Sequence, residues 1–198
     1  FWAVFIGISV ALSSCVKDEP VIISTFTQEM MGEYLTNQKS DYSEFCKLLD
    51  TTKVMGLINT YGEYTLFAPD NNAMQAFYTA SGKTSLKDFP LDALKKVAYD
   101  HLIKGYDITT DKFTDGLMPY LTMSERYVVT SSKTEAGQYV YYVNQTSAIL
   151  NQNILVSNGV IHKINKVLVP SVLSLPQAIE ADDRFDLFYE ALVATGLA

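Results

Sequence analysis

Asn158-Gly159-Val160-Ile161-His162-Lys163-Ile164-Asn165-Lys166-Val167-Leu168-Val169-Pro170 is the stretch on which the fold of this 198-residue chain turns. Asn-Gly tolerates positive φ at both central positions of a tight turn, so it predicts a hairpin between Ile154-Leu155-Val156 and the segment Val160 to Val169. That turn fixes the register. Period-two alternation then puts Val160, His162 and Ile164 on one face, and a histidine between two aliphatics reads as a hydrogen-bonded core residue rather than a base or ligand.

A second fixed point is Tyr64-Thr65-Leu66-Phe67-Ala68-Pro69-Asp70-Asn71-Asn72-Ala73-Met74. Tyr64 to Ala68 reads as a buried strand stopped by Pro69, and Asp70 is placed to cap a helix running through Ala73, Met74 and Phe77. Between the two blocks, Asp88-Phe89-Pro90 opens a helix in which Leu91, Leu94, Val97, Ala98, His101 and Leu102 recur at helical spacing. Lys104-Gly105 is expected to end it with a cationic last turn and a left-handed stop. His101 lies on the apolar face and is read as His162 is.

Upstream, Thr25 to Leu35 and Asp41 to Leu49 read as two helices separated by the polar run Thr36 to Ser40. Tyr42, Phe45, Leu48 and Leu49 share one face of the second, and Cys46 beside them reads as a small buried hydrophobe. Downstream of Leu117 the period becomes alternating. Tyr127-Val128-Val129-Thr130 and Tyr139-Val140-Tyr141-Tyr142-Val143 predict a hairpin around Gly137. Helices first and strands later imply an α+β domain, not a parallel α/β sheet.

Composition narrows the function classes. With 48% hydrophobic residues the chain can bury one good core, and a net charge of -7 would repel a nucleic acid. Cys15 and Cys46 form no C-x-x-C pair, so neither a disulfide framework nor a zinc site is expected. Asp107, Asp111 and Asp115 are spaced by four and fail the alternate-position pattern of a calcium loop. None of the phosphate-loop, H-E-x-x-H or G-x-S-x-G motifs occurs, so no catalytic residue, metal or cofactor is expected and the chain is not read as an enzyme.

The two quoted blocks resemble the signatures of the fasciclin-like domain. One is an aromatic or Thr-x-Phe-Ala-Pro-x-Asn-x-Ala segment, and the other runs Asn-Gly, two hydrophobics, His-x-Ile and on to a proline. The likeness covers about Phe26 to Pro170 and implies a compact β-sandwich of two small sheets flanked by several helices, with Phe67, Pro69, Asp70, His101, Asn158, Gly159 and His162 as structural signature residues. Animal members of the family share an Asp-Ile pair and a Tyr-His pair as proposed cell-binding spots. Here Asn153 precedes Ile154, and Asp100 precedes His101, so integrin-type recognition is not expected. Candidate ligand-binding residues are Asn153 and Ile154, together with Tyr139 and Tyr141, whose aromatic faces could stack on sugar rings.

The ends of the sequence carry addresses and a repeat. Phe1 to Leu12 is an apolar run of signal-peptide length, and Leu12-Ser13-Ser14-Cys15 resembles a lipoprotein signal box, which makes Cys15 the lipidated residue and the membrane a partner. Val16-Lys17-Asp18-Glu19 resembles an export tag of bacterial surface lipoproteins, or is an ordinary charged tether. Phe185 to Thr195 echoes Tyr42 to Thr52. The expected plan is a signal over 1–15, a tether over 16–23, the domain over 24–170, then a linker and the first helix of a second, truncated domain over 171–198. The resulting expectation is an outer-membrane lipoprotein that faces the cell exterior, or alternatively the periplasm. It would act as an adhesion or ligand-binding module, or alternatively capture glycans in polysaccharide uptake.

Overall fold

The structure is a computed structural model describing residues 29–135, 137–169, 175–180 and 182–197. Cys15, the signal, the tether and residues 171–174 lie outside the described residues.

Strand β1 (Tyr64–Pro69) is buried at every position, so both of its faces must meet apolar layers. Its edges are taken by β2 (Leu102–Lys104), antiparallel, and by β7 (Gly159–Ile164), parallel, with Tyr64 opposite Gly159 and Pro69 opposite Ile164. The remaining strands are β3 (Gly116–Leu121), β4 (Tyr127–Glu135), β5 (Gln138–Val143) and β6 (Ser147–Val156), giving the order β2-β1-β7-β6-β5-β4-β3. A bridge from Ile103 to Thr122 brings the two ends together, so the sheet wraps almost into a barrel.

This corrects the expected sandwich of two small sheets. The seven strands form one mixed sheet because the ten-residue β6 serves both halves, pairing with β5 through Ser147 and Ala148 and with β7 along the rest. Register shifts between Ile149 and Asn151 and between Asn151 and Ile154 bend it where the halves meet, and Asn153 there takes a φ of +56°. Bulges of this kind let one strand turn a corner without breaking the ladder.

Alternation along β1 and β7 sorts the core into two layers. Tyr64, Leu66, Ala68 and Ile161 face the helices, while Phe67 and Ile164 face inward against Ile103, Met118, Val128 and Val143. The helices are α1 (Met31–Asn37), α2 (Lys39–Thr51), α3 (Val54–Ile58), α4 (Asn71–Ala80) and α5 (Leu91–Asp100). As the spacing predicts, Tyr42, Phe45, Leu48 and Leu49 of α2 are buried. Cys46 is half-buried beside them, and burial pushes its thiol up to about 11, so it stays protonated at neutral pH.

Local signals are read correctly where they act locally. The Asp70 side chain accepts from the Ala73 amide at 2.8 Å and caps α4, and β4 and β5 form the expected hairpin, closing at Gly137 with φ +79°. Four details differ. Helix α1 starts at Met31, so Glu29 and Met30 of the expected Thr25–Leu35 helix precede it. The gap between α1 and α2 is Gln38 alone, because exposed Lys39 and Ser40 fit the solvent side of a first helical turn. Helix α5 ends at Asp100, and Leu102 to Lys104 leave it to pair with β1 as β2. At the β6–β7 turn the two loop residues are Ser157 and Asn158, since Val156 already pairs with Gly159.

Beyond the domain, α6 (Leu175–Glu180) is followed by α7 (Asp186–Thr195), which covers the repeat-like segment. None of the residues of α7 is buried. Phe188, the counterpart of fully buried Phe45, is 53% exposed.

Candidate ligand-binding site

The signature residues serve the fold. Asn158 is buried, and its Oδ1 accepts the Met31 amide at 2.9 Å while its Nδ2 donates to the carbonyls of Ile58 at 2.8 Å and Thr60 at 2.9 Å. One side chain thus ties α1, α3 and the approach to β1 onto the hairpin. Gly159 lets the backbones of β1 and β7 meet, because a Cβ there would stand 1.9 Å from the Tyr64 carbonyl oxygen. Phe67 stacks on the His162 ring with centroids 5.6 Å apart, and after Pro69 the Asp70 amide donates to the Ile164 carbonyl at 3.3 Å.

Both histidines are fully enclosed, and each ring engages both of its nitrogens. His101 Nδ1 lies 2.7 Å from the Val97 carbonyl and so donates to it, leaving Nε2 to accept the Leu168 amide at 2.9 Å. His162 Nε2 donates to the Ile108 carbonyl at 2.8 Å, and Nδ1 accepts the Asn153 amide at 3.3 Å. Burial holds both imidazoles down to about 4. They are neutral at physiological pH, with no nitrogen left to act on a substrate.

The four candidate binding residues part company. Asn153 is spent on the fold, with Oδ1 accepting the Thr110 amide and Nδ2 donating to the Thr110 hydroxyl, each at 2.8 Å. Ile154 packs partly buried against the helical core. Tyr141 meets Phe113 edge-on with centroids 5.8 Å apart, and Phe113 in turn lies 5.3 Å from His162. Tyr141 therefore borders the Asn153 neighbourhood through two rings. Tyr139 stands 76% exposed near the hairpin tip, opposite Thr134. Tyr142, on the other face, lies 4.9 Å under the Lys133 ammonium and donates to Glu135.

Two polar cavities flank this sheet. One, of about 210 Å³, is lined by Tyr141, Phe113, Asp115 and Ser132, with Asp115 Oδ1 accepting the Ser132 amide at 2.8 Å. The other, of about 330 Å³, brings together Asp100, Thr122, Arg126, Tyr127, Asn144 and Thr146. Sequence reasoning missed this second group. Its signals were an acid, Asp100, at the end of an apolar helical stripe, and Tyr127 at the start of an alternating strand. The acidic segment is dispersed: Lys112 Nζ lies 3.1 Å from Asp107, while Asp115 holds Ser132. Among the described residues no group of three or more His, Cys, Asp or Glu could hold a metal ion.

The family profile described as Fasciclin domain matches residues 40–170. The chain belongs to the fasciclin domain family. A fasciclin-like arabinogalactan protein of Arthroderma benhamiae is 29% identical over 136 residues, which cover 69% of this chain and 30% of that protein. Transforming growth factor-beta-induced protein ig-h3 of Oryctolagus cuniculus is 26% identical over 146 residues, covering 72% of this chain and 20% of its own length. Human periostin is 26% identical over 141 residues, covering 68% and 15%. This chain therefore spans less than a third of each. Among solved structures, the FAS1 domain pair of the insect cell adhesion molecule Fasciclin I superposes with a TM-score of 0.56 at 18% identity, over 79% of this chain and 54% of that one. That likeness shows the fold, including the helix-covered, wrapped sheet. Fasciclin domains thus occur in cell adhesion proteins.

Proposed function

We propose that this protein is a non-catalytic adhesion or ligand-binding module, held on the outer membrane of a bacterium by a lipid on Cys15 and facing the cell exterior. The observation that carries the reading is fasciclin membership over residues 40–170, since that domain occurs in a cell adhesion molecule. The enclosed histidines support a binding role over catalysis, because both are committed to the core. A signal over 1–15 and a tether over 16–23 would supply the anchor. The echo of α2 in α7, with Phe188 exposed, supports a second domain beginning after a linker. Several acyl chains on one cysteine, at about 0.8 kcal/mol per buried CH₂, would hold the protein on its membrane.

A second reading, glycan capture for polysaccharide uptake, is favoured by Tyr139 standing exposed while Tyr141 lines the 210 Å³ cavity beside Asp115. The two readings share a surface location. Protease applied to intact cells, followed by mass spectrometry of the N-terminal peptide, tests it: the expected result is release of the domain and a triacylated Cys15. Protection in unbroken cells would place the domain on the periplasmic face, and an unmodified thiol would remove the anchor.

A further inference from the structure

The 330 Å³ cavity is built by four segments that meet at one end of the wrapped sheet. They are the last residue of α5, the β3–β4 turn, the β5–β6 turn and the stretch after β7. Asp100 is only 6% exposed and accepts a hydrogen bond from the Ser124 hydroxyl, which sits 2.9 Å from that of Thr122. Arg126 lines the same cavity, and its charge favours the ionised carboxylate of Asp100 against the burial that raises its pKa.

The other polar groups are neutral. Asn144, at φ +48°, is pinned by its Oδ1 accepting the Val129 amide at 3.1 Å, which leaves its Nδ2 as a donor on that wall. Thr146 adds a hydroxyl, whereas that of Thr122 is engaged by Ser124 and the Arg126 backbone. Tyr127 stands at the mouth with half its surface uncovered, offering an aromatic face. A simple anion in this cavity would meet the carboxyl of Asp100 and a simple cation the guanidinium of Arg126, so neither is favoured. A neutral ring bearing hydroxyls on its edge and C–H bonds on its face meets donors, acceptors and an aromatic platform together. The volume lies at the small end of the range of about 300–1,000 Å³ for ligand pockets, which suits one ring.

We propose that this cavity binds a single neutral pyranose ring, with Asp100 accepting from its hydroxyls, Arg126 and Asn144 donating to them, and Tyr127 stacking on its apolar face. The proposal rests on the binding role argued above but uses neither Tyr139 nor Tyr141. Tyr139 pairs with Thr134, whereas Tyr127 and Asn144 lie beyond the Thr130–Val143 pair at the opposite end of the β4–β5 ladder.

The test is an amide chemical-shift titration of the isotopically labelled full chain with the methyl glycosides of glucose, galactose, mannose, xylose, fucose and N-acetylglucosamine. At least one sugar is expected to shift the amides of Ser124, Asn144 and Thr146 saturably, with a Kd of about 1 mM, as for a small ligand with few contacts. Tyr127→Ala, at an exposed position, and the near-isosteric Asp100→Asn are each expected to weaken that binding about tenfold or more. A Tyr139→Ala, Tyr141→Ala double variant is expected to bind unchanged. Three outcomes would overturn the proposal: no saturable shift with any of the six, binding lost in the hairpin variant but kept in Tyr127→Ala, or shifts given only by glucuronate or glycine. Surface release by protease in the face of any of these would leave the adhesion reading standing, so the two failures are separable.

Discussion

Gly159→Ala is expected to cost ~3 kcal/mol or more in unfolding free energy, or to leave no folded protein. An added Cβ would lie 1.9 Å from the Tyr64 carbonyl oxygen and 2.8 Å from the Tyr64 backbone carbon and nitrogen. None of these can retreat. Tyr64 lies in the buried central strand, its amide donates to the Asn158 carbonyl at 3.1 Å, and its other neighbour across the sheet is Lys104. The φ of +147° at Gly159 adds strain for any side chain. Gly137 supplies the control. Its φ is +79° but nothing lies within 4 Å of its would-be Cβ, so Gly137→Ala should cost only the conformational penalty of about 1 kcal/mol. Denaturant unfolding of the two variants measures the difference, and equal losses would mean that β1 and β7 do not approach as described.

The second large effect is acid destabilisation through the two histidines. An unfolded histidine takes its proton near 6.5, whereas burial holds His101 and His162 to about 4. The folded state therefore binds fewer protons than the unfolded state between those values. Stability from this source is complete above pH 6.5 and is lost as pH falls toward 4. By about pH 4.5 the two sites together should have removed ~5 kcal/mol, comparable to the whole stability of many domains. Burial raises Asp100, which works in the opposite direction: its contribution favours the folded state at low pH, in the carboxylate range. Denaturant midpoints measured from neutral pH downward should show the fall beginning near pH 6.5. His162→Gln should be less stable at neutral pH yet lose about half as much on acidification. A flat profile over that interval, or an undiminished slope in the variant, would contradict the enclosure of these rings.

The contrast between what the sequence made legible and what it did not follows the range of the interactions. Strand β1, the Asp70 cap and the β4–β5 hairpin rest on neighbours within a few residues, and their signals survive in the bare sequence. The end of α5 does not. Leu102 and Ile103 continue the helical stripe, but the open edge of β1 claims them, and that edge exists only once the sheet has formed. Asn158 shows the same limit at the level of one side chain. Its dipeptide with Gly159 announced a turn, whereas its amide serves Met31 and Ile58, 127 and 100 residues away. Of the candidate site, Tyr139 and Tyr141 were visible as a crowded aromatic hairpin. Asn153 was noticed for its likeness to a family spot, but its bonds to Thr110 could not be foreseen. Tyr127 was visible as the start of an alternating strand and Asp100 at the end of a helical stripe, but Arg126 and Asn144 sit in turns where no periodicity marks them, and only the closing of the sheet gathers the four.

Adhesion itself is the most direct measure of the central claim. Beads coated with the purified full chain should be retained under flow by at least one surface in a panel of cells, matrix proteins and polysaccharides, while beads carrying the denatured chain at equal density should be retained by none. Attachment no greater than that of albumin-coated beads, with the wild-type chain folded on the surface, would contradict it.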